Sequence, residues 1–256
     1  MHDISKIIKC RDCDSIPKVD FAGEIVSDFQ IMHNGLKIIK GCYHEEWMSE
    51  IISACRGHHE PQEERAFHEV LKHIANNAVM IELGSFWAYY SMWFNQSVLN
   101  AKNYLIDIDE PTLNVGKLNF GVNNMSGNFY IDSVPNFKLE NFLKTNNIEF
   151  VDILHVDIQG WEYHMLLDSQ TSLDKIGYFF ISTHTDQFNT GHHWGSPKEK
   201  LHESCLEFLL DNNYIILCEH NMSESFSHDG LIVAKNPKIS TDFNKIEISK
   251  YVQSHS

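Results

Sequence analysis

The sequence predicts an α/β fold: a doubly wound, mostly parallel seven-stranded sheet with an antiparallel last strand, preceded by a small N-terminal cap of a hairpin and helices. Three observations predict it. From Ala78 onward, short apolar runs recur along the chain as VMIEL, NYLID, NFYID, FVDILHVDI, YFFIS, YIILC and LIVA. Connections of roughly 18 to 25 residues separate the first five, enough for crossover helices, and such alternation argues for a parallel layered sheet. The last two are joined only by residues 219–230, a short return that suits an antiparallel final strand.

The elements follow in order. Residues 1–75 are expected to form the cap and residues 76–256 the main domain. In FQIMHNGLKII, Asn34-Gly35 between two extended segments signals a hairpin turn that needs positive φ. A helix from about Tyr43 stops at Gly57, and a second opens at Pro61, where a missing N–H costs nothing. That second helix places Phe67, Val70, Leu71 and Ile74 at helical spacing. Ahead of the sixth run, a helix near Pro197 aligns Leu201, Cys205, Phe208 and Leu209 on one apolar stripe, with His202 off it. Met165, Leu166 and Leu167 read as core. Neither an internal repeat nor a low-complexity stretch interrupts the pattern.

With 256 residues, 43% apolar and 21% charged, the chain can bury a sizeable core, and disorder is not expected. Thirteen glycines, six prolines and six cysteines exclude collagen-like and disulfide-stapled classes. The net charge is −15 and the arginines are Arg11, Arg56 and Arg65, so a nucleic-acid partner is not expected. No apolar run has the roughly 20 residues of a membrane span. The N-terminal MHDISKIIKCRDCDS lacks a secretory apolar region and the cysteines show no framework spacing, which predicts a reducing cytoplasm. Cys10-x-x-Cys13 is the tight cysteine pair; Cys42 and Cys55 are too far apart to make a second, so ordinary thiols are expected rather than structural zinc.

The chemistry concentrates at strand ends. IELGSFWAYYSMWF runs a strand into Glu82-x-Gly84 and then a helix, and ligands in open α/β sheets bind at the carboxyl ends of strands. The second strand ends at Asp107, about where dinucleotide-type folds hold a ribose through a carboxylate. HVDIQGWE repeats the device with Asp157. Three strand ends presenting acids to one sheet edge point to a ligand crevice rather than to solubility. Of the aromatics, Tyr90, Trp93 and Phe94 fit a core stripe, leaving Phe86 and Trp87 in the turn as ligand candidates.

These motifs resemble the FkbM-type methyltransferases, which use S-adenosylmethionine on a Rossmann-like class I methyltransferase fold. IELGSFWAYYSMWF looks like their first motif, which implies that Glu82, Gly84 and Ser85 wrap the methionine part of the cofactor, with Phe86 and Trp87 beside them. LIDIDEPTLNVGKLNF is similar to the second, implying that Asp107 grips the ribose next to Ile108. The resemblance also assigns Asp132 and Ser133, after the third strand, to the cofactor. VDILHVDIQGWEYHML resembles the Asp-x-Glu-Gly-x-Glu signature through Asp157, Gln159, Gly160 and Glu162, with Gln159 in place of the usual acid, and FFISTH resembles the fifth strand ending in His184. The likeness covers about residues 78–235. It departs at Ala88, where a second glycine is usual, and in a longer His-rich loop over 185–196.

The resemblance implies methyl transfer to a hydroxyl of a sugar or other small-molecule or glycan acceptor. Positioning in a water-poor pocket supplies most of such a reaction, but a hydroxyl needs a base. A neutral imidazole at His184 is the expected base, with Asp157 orienting it or the acceptor. His184, His192, His193, His202, His220 and His228, with Asp157, Asp186 or Asp229, suggest a divalent ion, but their spacing fits no tight ligand pattern, so a metal is not favoured. An iron site of His184, Asp186 and His228 is disfavoured by the α/β pattern and by the lack of arginine after Arg65. The competing reading is a non-catalytic module that binds the nucleotide, for which Ala88 is the hint.

Overall fold

The computed structural model describes residues 10–134, 136–184, 200–221 and 229–249. Three short strands, β1 (Ile25–Val26), β2 (Phe29–Ile31) and β3 (Lys37–Ile39), form a small antiparallel sheet, and Gly35 takes the turn between β2 and β3 at φ 84. Helices α1 (Glu45–Ala54) and α2 (Pro61–Leu71) follow. Gly57, at φ 86, packs so closely on His33 that a side chain there would meet its backbone. Pro61 opens α2 as expected.

The main sheet is built from β4 (Val79–Leu83), β5 (Lys102–Asp107), β6 (Asn128–Ile131), β7 (Val151–Val156), β8 (Ile176–Thr183), β9 (Ile215–His220) and β10 (Gly230–Lys235). Its order is β6-β5-β4-β7-β8-β10-β9. β4 to β8 run parallel, while β10 is antiparallel to both β8 and β9. The doubly wound, seven-stranded sheet with an antiparallel last strand is therefore present; that β10 inserts between β8 and β9 is settled by long-range pairing that no local run encodes.

Alternation along the strands divides the core. Tyr178 and Phe180 of β8 face one side, with Met80 and Ile153, the N-terminal residues Met32, Ile51 and Phe67, and helix α3 (Tyr89–Ser97). Phe179 and Ile181 face the other, where α5 (Leu139–Thr145), α6 (Glu162–Asp168) and α7 (Leu201–Asp211) pack. Helix α4 (Glu110–Val122) starts behind Asp109, whose side chain accepts a hydrogen bond from Thr112 N–H, an N-cap. The α7 stripe of Leu201, Cys205, Phe208 and Leu209 is buried. His202 is buried as well, its Nδ1 at 2.8 Å from Thr183 Oγ1, because β10 brings Gly230 against it without a side chain. Leu167 does not join the core: Met165 and Leu166 fill the inward face of α6, leaving Leu167 turned out and exposed. Among the described residues, no helix is long and apolar enough to cross a membrane.

Candidate functional site

In a parallel doubly wound sheet the order reverses between β4 and β7, and the loops leaving the carboxyl ends of neighbouring strands diverge to open a crevice there. A cavity of about 720 Å³ occupies that place, in the range of small-molecule sites. Glu82, Gly84, Ser85, Phe86, Trp87, Asp107, Ile108, Asp132, Ser133, Asp157 and His184 all line it. The strand ends read from the sequence thus converge on one space.

Gly84 has φ +79, and a Cβ there would lie 1.7 Å from the carbonyl oxygen of Asp157. The glycine lets β4 and β7 leave the sheet side by side, at the wall of the cavity. The N–H groups of Gly84 and Ser85 donate to the Ile106 carbonyl at 2.9 and 3.2 Å, tying this turn to β5. Phe86 N–H and Ile108 N–H each donate to a different oxygen of Asp107 at 2.8 Å, so the carboxylate is aimed by two backbone loops. Burial raises its pKa, and these donors oppose the rise. Ala88 sits at φ 64 where a glycine is usual, and the room comes from across the contact: a Cβ on Gly116 of α4 would lie 3.0 Å from the Ala88 Cβ.

Glu82 pairs in register with His155 of β7. Burial pushes its carboxyl up to about 7, against the pull of the His155 charge, and its Oε2 is buried without a hydrogen-bond partner among the described residues. His155 Nε2 lies 2.5 Å from Glu63 Oε1, an acid supplied by α2. Burial disfavours the imidazolium, but Glu63, Glu82 and Asp157 outweigh it and push His155 to about 9.

Just beyond the same carboxyl end of β7, Gln159 and Gly160 take positive φ values of 54 and 101. The turn is held by buried Glu162, which accepts from Ile158 N–H at 3.3 Å and Gly160 N–H at 3.1 Å. The same carboxylate holds His184 Nδ1 at 2.8 Å, while His184 Nε2 lies 3.2 Å from Asp157 Oδ1 and 3.4 Å from Asp229 Oδ2. His184 Nε2 also lies 2.7 Å from Gln159 Nε2. Burial would lower the His184 pKa, but Glu162, Asp229 and Asp157 drive it up to about 10, which favours the charged ring over the neutral imidazole expected from the sequence. For Asp157, burial pushes the carboxyl up to about 6, with the His184 charge opposing, and its side chain remains 34% exposed on the cavity.

Several lining residues carry no motif. Tyr43 stacks on Trp87 with ring centroids 4.4 Å apart, and Tyr43 and Tyr90 hydroxyls donate to Glu60 of the N-terminal segment at 3.3 and 2.9 Å. His44 and Trp47 continue this aromatic wall. Tyr90, read as core, is buried yet touches the cavity; Trp93 and Phe94 are core. Only the acids and aromatics themselves could have signalled this wall, and on helices they read as surface and core. Asp186, His192, His193 and His228, and the 185–196 loop, lie outside the described residues.

A family model described as the methyltransferase FkbM domain matches residues 60–216, more than half of the chain and reaching into α2. A candidate methyltransferase complexed with S-adenosylhomocysteine is 10% identical with a TM-score of 0.54, over 83% of this chain and 57% of that one. A candidate rRNA methylase from Clostridium thermocellum is 10% identical with a TM-score of 0.51, over 68% and 94%. A candidate methyltransferase from Streptococcus mutans that uses S-adenosylmethionine is 10% identical with a TM-score of 0.50, over 69% and 49%. Likeness at such identities is one of fold. No curated protein matches the chain in sequence.

Proposed function

This chain belongs to the FkbM family of methyltransferase domains, and from that premise we propose that it methylates a hydroxyl of an uncharged sugar or small metabolite. It is an S-adenosylmethionine-dependent methyltransferase. The cavity fits that cofactor by its own chemistry: an unpartnered buried Glu82 oxygen, an aimed Asp107 carboxylate and an aromatic turn suit an ammonium, a ribose and a sulfonium. Glu82, Gly84, Ser85, Phe86 and Trp87 would hold its methionine half, Asp107 and Ile108 its ribose, and Asp132 and Ser133 its adenosyl end. S-adenosylmethionine supplies an electrophilic methyl group on a sulfonium.

The chain's part is to position the acceptor and remove one proton. Asp157 accepts that proton at its Oδ atoms, since it faces the cavity and its pKa near 6 leaves it ionised at neutral pH. The His184 imidazolium, fixed by Glu162 and Asp229, orients Asp157 and balances the charge around it. The aromatic wall of Tyr43, Trp47 and Trp87 excludes water and offers flat faces to a sugar ring.

The observation that carries the acceptor class is the lining charge. Six acids, Glu60, Glu82, Asp107, Asp132, Asp157 and Asp229, line the cavity, and among the described residues no lysine or arginine does. That favours a neutral acceptor over RNA, whose phosphates need cations. The test is transfer of labelled methyl to a panel of neutral glycosides and alcohols beside transfer to RNA. The label is expected as an O-methyl ether on a neutral acceptor; labelled RNA contradicts the reading. Tight binding of S-adenosylhomocysteine with no turnover on any acceptor indicates a binding module instead.

A further inference from the structure

A second cluster of chemistry-bearing side chains lies away from this cavity, where the N-terminal segment meets the start of α2. Cys13, His58 and Glu64 are all buried, and one ligand atom of each lies within 4.8 Å of the others. Cys13 sits on a single 3-10 turn, Asp12–Ser15, His58 in the loop before α2, and Glu64 on α2 itself. We propose that these three residues bind one zinc-type divalent ion, which fastens the N-terminal segment to α2.

The donor set, a thiol, an imidazole and a carboxylate, matches zinc in softness and geometry. Tetrahedral zinc with bonds of about 2.0 to 2.3 Å would set its ligand atoms roughly 3.3 to 3.7 Å apart, so a contraction of about 1 Å closes the site. His58 Nδ1 and Glu64 Oε2 are already in hydrogen-bond contact. One observation beside the cluster points to a ligand here: His58 is fully buried, and its Nε2, the ring nitrogen that Glu64 does not engage, has no hydrogen-bond partner among the described residues. Counting cysteines alone leaves Cys10-x-x-Cys13 without a second pair, but counting histidine supplies Cys55-x-x-His58, at the ligand spacing of a metal turn. The benefit is positional: the anchored helix carries Glu63, and Glu60 stands at its cap, the two acids that α2 brings toward the cavity side of the sheet.

The test uses the untagged full chain, freed of metal with a chelator and titrated with cobalt as a spectroscopic stand-in for zinc. One cobalt per chain is expected, with thiolate-to-cobalt charge-transfer absorption that zinc displaces, and Cys13→Ser is expected to weaken binding at least tenfold. Should that variant fail to fold, X-ray absorption at the zinc edge of the wild-type chain decides, and a sulfur neighbour at about 2.3 Å is expected. Less than stoichiometric uptake overturns the proposal. So does a bound metal with nitrogen and oxygen neighbours alone, which would place it among histidines elsewhere, or a charge-transfer band unchanged in Cys13→Ser.

Discussion

Glu63 of α2 and His155 of β7 form a buried pair, Oε1 to Nε2 at 2.5 Å, and Ser182 of β8 donates its hydroxyl to the other Glu63 oxygen at 3.1 Å. The pair joins the N-terminal elements to the central strands directly behind Glu82, so the floor of the cavity depends on a residue outside the sheet.

Glu63→Ala would leave the His155 imidazolium buried without its partner. A loss of about 3 to 5 kcal/mol is expected, the usual cost of breaking a buried ion pair from one side. Denaturant unfolding measures it, and a loss below about 1 kcal/mol contradicts the pairing. The pH dependence has a definite sign. His155 is raised from 6.5 to about 9 in the folded chain, so its stabilisation is complete below about 6.5 and disappears as pH rises through about 9. Unfolding free energies taken across that window should fall with pH in the wild type and flatten in Glu63→Gln.

Methyl transfer should rise with pH along an acid limb near 6, the pKa of Asp157. A pH–rate profile under saturating cofactor reads it. His184→Gln, which removes the neighbouring positive charge, should move that limb to higher pH. A limb near 10 would instead give the base role to His184. Asp157→Asn should cost about 10²- to 10⁴-fold in turnover, as general bases do.

Asp107→Ala should weaken S-adenosylhomocysteine binding by about 1 to 3 kcal/mol through lost charge-assisted hydrogen bonds. Calorimetric titration checks this, and an unchanged dissociation constant removes Asp107 from the ribose.

Gly116→Ala should destabilise by about 1 to 3 kcal/mol, because its methyl group would meet Phe86 O at 2.8 Å and Ala88 Cβ at 3.0 Å. Adding Ala88→Gly should recover part of that loss, since it removes one of the two contacts and frees a non-glycine residue from φ 64. Thermal melts of the two single variants and the double variant test the coupling; strict additivity contradicts it.

The strand ends were legible because period and chemistry coincide there: VMIEL, NYLID and FVDILHVDI announce buried strands, and the acid near the end of each, Glu82, Asp107 or Asp157, stands at the carboxyl edge of the sheet by construction. The hairpin at Asn34-Gly35 and the start of α2 at Pro61 were legible for the same local reasons. Glu60, Glu63 and Glu64 were not. EPQEE reads as a solvated first turn, and these acids are buried because each meets a histidine, His59, His155 or His58, that is distant or unremarkable in sequence. The acidic surround of His184 was equally hidden, since it depends on Glu162 and Asp229 arriving from the start of α6 and the residue before β10. Ala88 reads as a defect in the turn only until Gly116, on another helix, is seen to make room for it.

A crystal structure of the chain with S-adenosylhomocysteine tests the central claim most directly. The account predicts the ribose hydroxyls on the Asp107 carboxylate, the amino acid end beside Glu82 and Gly84, and the sulfur turned toward Asp157. Ligand bound elsewhere, or lying in the cavity with its ribose away from Asp107 and its sulfur away from Asp157, would contradict it.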